Sequence, residues 1–98
     1  MDKSLLERHG EICVELNQTY KIKNEKYGDS FGSSVKEFGY IAALTRISDK
    51  YNRMKQLIIS RADGSDTDES LEDTLLDMAN YCIMTAMELR EENSTSNE

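Results

Sequence analysis

The chain is 98 residues long, with 12 basic and 19 acidic residues and a formal charge of −7 at pH 7. That length gives one domain near the lower limit for burying a useful core alone, and 38% hydrophobic with 32% charged residues excludes a largely disordered chain. The negative surface repels a nucleic-acid backbone, and the basic clusters are short ones, "KIKNEK" and a mid-chain quartet, so no nucleic-acid partner is expected.

The chain has no proline, so helices end only where glycines or polar runs stop them. The first predicted helix spans about residues 3–25, because Leu5, His9, Ile12, Cys13, Leu16 and Tyr20 recur at the three-four spacing of one buried face. The stretch "YGDSFGSS" then reads as a loop, with Gly28 and Gly32 as flexible points and Asp29 and Ser30 making local turn bonds. Ser33 or Ser34 is the expected N-cap of the second helix, with Glu37 reaching back. That helix is predicted over 34–60, with Tyr40, Ala43, Leu44, Ile47, Tyr51, Met54 and Ile58 on its apolar arc. The acidic "RADGSDTDES" follows, where Asp66 and Glu69 form a candidate capping box. A third helix is predicted over 68–91, with Leu71, Leu75, Met78, Ala79, Cys82, Ala86 and Leu89 as its core stripe. Residues 93–98 are polar and expected to be disordered.

No stretch alternates as a strand does. The expected fold is therefore all-α: a three-helix antiparallel chain, one domain over 1–92, assembling into a helical-bundle homo-oligomer. No apolar run is long enough to cross a bilayer, and "MDKSLLERHG" lacks the apolar core of an export signal. A cytoplasmic location and no membrane partner are expected. Cys13 and Cys82 stand at apolar helical positions without a motif, which predicts reduced core thiols. His9 is the single histidine, too few soft ligands for zinc, and is assigned a structural role.

Two polar patches interrupt the apolar seams. Arg46, Asp49, Lys50 and Arg53 share a face of the second helix in a line that is apolar at both ends. Glu69, Asp73, Asp77 and Asn80 share a face of the third, which continues into Met84 and Met87. Packed together, the helices would bring Arg46, Lys50 and Arg53 near Asp73 and Asp77. Such a constellation is either an ion-pair network that fixes register or a site in which guanidinium groups meet phosphate oxygens. Tyr27, Asp29, Ser30 and Phe31 allow the same two readings: ordinary turn chemistry with an aromatic plug, or a loop that meets a ligand and stacks on a base.

The stretches "KNEKYGDSF", "ALTRISDKYNRMKQLI" and "ESLEDTLLDMANYCIMTAMEL" resemble the first of the nucleotide modification associated domains, small helical proteins of phages and bacteria. The resemblance runs from about His9 to Leu89. That family is similar in outline to the all-α nucleotide pyrophosphohydrolases of the MazG and dimeric dUTPase type. It implies a phage setting, in the cytoplasm of the host cell, and a role in nucleotide pathways or in phage–host conflict over nucleotides. MazG-type enzymes hold magnesium with E-x-x-E on one helix and E-x-x-D on the next. Here Glu69, Glu72, Asp73 and Asp77 offer the second half, but cations stand where the first acidic pair would be.

Carboxylates concentrate Mg²⁺, whereas cations in that place attract phosphate directly. The leading expectation is thus a nucleotide-binding protein that need not turn over its ligand and needs no cofactor. Arg46, Lys50 and Arg53 would hold phosphates, with Asp49 beside them. Asp73, Asp77, Asn80 and Tyr81 would orient those cations or read ribose and base. Tyr27, Asp29, Ser30 and Phe31 would close over the ligand, which could be a nucleotide signal of antiviral defence or a modified nucleotide. One alternative is a Mg²⁺-dependent pyrophosphohydrolase with Glu69, Glu72, Asp73 and Asp77 as metal ligands, completed by Glu11, Glu15 or Asp49. Another is a structural helical module whose polar stripes only set pairing. No catalytic residue is assigned.

Overall fold

The first helix starts where the chain first offers a hydroxyl to an orphan backbone amide. A computed structural model describes residues 2–62 and 68–96. In it Ser4 Oγ accepts from the Glu7 amide at 3.1 Å, and α1 runs from Leu5 to Tyr27. It stops at Gly28, which adopts φ 70° and donates its amide to the Asn24 carbonyl.

The segment expected to be a loop is helical. Asp29 caps α2 (Ser30–Phe38), its Oδ1 accepting from the Gly32 amide at 3.0 Å. Ser33 and Ser34, the expected caps, lie inside this helix. Gly32 permits the arrangement, because a Cβ there would collide with the Asp29 carboxylate. A second correction follows at Gly39, which takes φ 80° and ends α2 where one helix over 34–60 was expected. A lone glycine within a helical pattern is usually tolerated, so its spacing gave no warning. The chain then continues as α3 (Ile41–Ala62) and α4 (Asp68–Ser96). The described residues thus form four helices and no strand, rather than three helices. Residues 93–96, expected to be disordered, prolong α4. The expected Asp66–Glu69 capping box lies outside the described residues.

Two long-range bonds fix the direction of the α3–α4 pair. At its start, Tyr40 Oη donates to Glu92 Oε2 at 2.6 Å; further along, Lys50 Nζ donates to Asp77 Oδ2 at 3.1 Å. The two helices are antiparallel. α1 lies across α4 where Asn80 Nδ2 donates to the Leu16 carbonyl at 3.2 Å. α2 reaches α4 through the Phe31 and Tyr81 rings and an exposed Lys36–Glu91 pair at 3.8 Å.

The core is small. Leu16, Val35, Ala43, Leu57 and Leu71 are buried, each contributing about 1.5–3 kcal/mol if a full side chain is withdrawn from water, less for alanine. Thr74 is the buried polar residue, and its hydroxyl donates to the Ser70 carbonyl at 2.9 Å. Much of the predicted core is not covered: Leu5, Ile12, Leu44, Tyr51, Ile58, Leu75 and Leu89 are exposed. Cys13 and Cys82, expected inside, are exposed too, and His9 shares the open face of α1 with Cys13, 3.7 Å away. The apolar arcs are wider than one neighbouring helix can cover.

Two outcomes test this reading. Gly39→Ala must hold a side chain at φ 80°, ψ −172°, and should lower unfolding stability by about 1–3 kcal/mol in urea titration. The Tyr40 hydroxyl is pushed up to about 12, first by its bond to Glu92, then by desolvation and the charges of Glu92 and Glu88. The folded state therefore holds this proton more tightly than the unfolded chain. Its contribution to stability is full below a pH of about 10 and is lost as the pH rises toward 12. In a phenolate absorbance titration, Tyr40→Phe should remove a tyrosine that titrates at a pH of about 12.

Candidate functional site

A cavity of about 380 Å³ opens where the end of α1 and the start of α2 meet the middle of α3 and α4. That volume falls in the range of small-molecule sites. Its rim is the α1–α2 turn, Tyr27 to Phe31, held in shape by Gly28 and by the Asp29 cap. Tyr20, Lys23 and Asn24 enter from the last turns of α1; Arg46 comes from α3; Asp77, Asn80, Tyr81 and Met84 come from α4.

One wall is aromatic. The Phe31 and Tyr81 rings lie with centroids 5.7 Å apart at 43°, a tilted pair that fixes both planes. Tyr20 is half-buried, while Tyr27 is largely exposed with the Lys26 ammonium 5.3 Å from its ring centre.

Charge is distributed unevenly over the polar wall. Asp77 sits between two lysines, Lys50 at 3.1 Å on Oδ2 and Lys23 at 3.6 Å on Oδ1. One carboxylate therefore ties α1, α3 and α4 together. Asp29 spends an oxygen on the Gly32 amide. Arg46 is exposed and has no ion-pair partner among the described residues. The cavity thus presents an uncommitted guanidinium beside carboxylates that are already engaged.

The geometry separates the residues singled out from the sequence. It gathers Tyr27, Asp29, Ser30, Phe31, Arg46, Asp77, Asn80 and Tyr81 around one space. Lys50 is half-buried just behind it, bound to Asp77. Asp49, Arg53 and Asp73 are exposed on their helices and do not line the cavity. Arg53 is seven residues beyond Arg46, about 10 Å along the helix axis, and only Arg46 of the two lines the cavity. Of the candidate metal ligands, only Asp77 faces the cavity; Glu72 and Asp73 are exposed, and the side chain of Glu69 lies outside the described residues. Among the described residues no three His, Cys, Asp or Glu side chains converge to hold a metal ion. Glu11 is paired with Lys3 at 2.7 Å, on α1.

Tyr20, Lys23, Asn24, Gly28 and Met84 also line the cavity, and sequence reasoning did not assign them. Tyr20, Lys23, Asn24 and Tyr27 share one face of α1 at three- and four-residue steps, a signal masked because Tyr20 had been assigned to the core.

The family model described as Nucleotide modification associated domain 1 matches residues 23–89. This chain belongs to that family. No curated protein and no solved structure matches it. The matched span of the nucleotide modification associated domain begins at Lys23 and takes in every cavity residue except Tyr20. α1 before Lys23, with its open apolar face, lies outside the span.

The Asp29 cap makes a checkable claim about the rim. Gly32→Ala should push the carboxylate off the Gly32 amide and cost about 1 kcal/mol, as should Asp29→Ala. In urea denaturation the double substitution should cost scarcely more than either single one, because both remove the same bond.

Proposed function

We propose that this cavity binds a nucleotide or nucleotide-derived small molecule and holds it without hydrolysis. The observation that carries the reading is Arg46, a guanidinium without an ion-pair partner among the described residues, at the edge of a space that aromatic rings and the side-chain amides of Asn24 and Asn80 also line. Guanidinium groups bind phosphate oxygens in a bidentate fork, and a base stacked on an aromatic ring gains about 1–3 kcal/mol. Asn80 anchors its amide nitrogen on Leu16, which leaves its carbonyl oxygen as an acceptor for a base or ribose donor. The name of the family agrees with a nucleotide-related role.

Phosphoanhydride hydrolysis draws its charge stabilisation from a metal held by several carboxylates. Asp77, which lines the cavity, is instead neutralised by Lys50 and Lys23. Binding therefore accounts for the arrangement better than turnover does. In a phage this activity would sequester a nucleotide, such as a signal of antiviral defence, or present a modified one.

The test incubates the protein with nucleoside mono-, di- and triphosphates and cyclic nucleotides, with and without Mg²⁺, then removes the protein by filtration. At least one nucleotide should be retained and recovered intact on heating the protein. By calorimetry, Arg46→Ala should weaken its binding by about tenfold to a hundredfold. Retention of none would end the proposal, and release of a monophosphate only with Mg²⁺ would favour the pyrophosphohydrolase.

A further inference from the structure

Two soft donors stand apart from the cavity, on the first half of α1. His9 and Cys13 are four residues apart, so successive turns carry them on one helix face. His9 Nδ1 lies 3.7 Å from Cys13 Sγ, and both side chains are exposed. Tyr20, the first cavity residue along the chain, is about 16 Å further along the helix axis. His9 is the single histidine, so the other thiol, Cys82, has no imidazole of this chain beside it.

We propose that His9 and Cys13 form a two-donor site for a soft divalent cation of the zinc class. The separation of the donors supports it. Zinc binds imidazole nitrogen at about 2.0–2.1 Å and thiolate sulfur at about 2.3 Å, so at a tetrahedral angle the two donors stand about 3.6 Å apart. The observed 3.7 Å needs almost no rearrangement to reach that bite. The frame supports it too. Both residues lie within a 23-residue helix, so their backbone spacing is fixed before an ion arrives and little ordering is required. Space is available: a Cβ at Gly10, next to His9, would meet no atom within 4 Å. The donor types select the ion, since thiolate and imidazole favour zinc-class metals whereas magnesium and calcium take oxygen. Sγ binds as the thiolate, its proton passing to solvent, and Nδ1 binds through the lone pair of the neutral ring. Among the described residues no third His, Cys, Asp or Glu joins the pair, so water fills the remaining positions and the ion is exchangeable. The site precedes the span matched by the family model and shares no residue with the cavity, so it is independent of the nucleotide proposal.

In the Cys82→Ser chain Cys13 is the only thiol, and Co²⁺ serves as the spectroscopic stand-in for Zn²⁺. Titration under argon should give one Co²⁺ per chain, with a thiolate-to-metal charge-transfer band in the near ultraviolet that Zn²⁺ bleaches. Cys13→Ser should abolish the band. His9→Gln should weaken binding by about tenfold or more, because a second donor on the same helix acts at high effective concentration. Both positions are exposed, so helical circular dichroism should be unchanged in these variants. The unsubstituted chain supplies a second measurement: its single imidazole should shift in proton NMR on adding Zn²⁺, and should stay in place in Cys13→Ser. Binding unaltered by His9→Gln would mean a thiol acting by itself and would overturn the inference. So would an absent band with an unmoved imidazole at submillimolar metal, which would leave the His9–Cys13 contact as a hydrogen bond only.

Discussion

The half-buried bond from Lys50 to Asp77 sets the register on which the rest of the molecule depends. Desolvation offsets much of the Coulomb gain of such a pair, so its contribution is to specificity of alignment more than to net stability. With the helices antiparallel, pairing Lys50 with Asp77 brings Arg46, one turn back on α3, level with Tyr81, one turn on along α4. A slip by one turn would set Arg46 against a different part of α4 and leave a half-buried ammonium without its carboxylate. Lys23 then reaches the other oxygen of Asp77 and brings the end of α1 to the same point. The cavity is the space left where three helices are held at one carboxylate.

This arrangement bears on the choice that the charges posed. The polar patch is an ion-pair network at Lys50 and Asp77, and beside it stands a group the network does not consume, Arg46. Structural pairing and the proposed ligand site thus stand side by side. Asp77 supplies the first, paired with Lys50 and Lys23. Arg46 supplies the charge on which the proposed binding rests.

The sequence was most informative where periodicity was strong. Long helices do run through the three amphipathic segments, the second of them divided at Gly39, and the polar stripes touch at one pair, Lys50 and Asp77. Two features were hidden. Gly39 looked like a tolerated helical glycine, and only the φ it adopts shows that it separates α2 from α3. The "YGDSFGSS" segment was rich in turn formers, yet an aspartate cap with a glycine three residues on can equally start a helix. Burial was misjudged for a different reason. Periodicity tells which residues want to be covered, not whether the same chain covers them. Leu44, Tyr51, Leu75 and Cys82 belong to apolar arcs as expected, but they face outward. Tyr20 and Lys23 were missed because helical spacing alone does not reveal which side of α1 another helix occupies.

The central claim is that a nucleotide enters the space between the α1–α2 turn and Arg46. The most direct measurement is a backbone amide chemical-shift titration of the labelled protein with the nucleotide it retains best. The account predicts that the largest changes fall on Asn24, the Gly28–Phe31 turn, Arg46, Asn80 and Tyr81, and that Arg46→Ala abolishes them at the same ligand concentration. Changes confined to the Leu44–Tyr51–Ile58 side of the hairpin, or a set unaltered by Arg46→Ala, would contradict it.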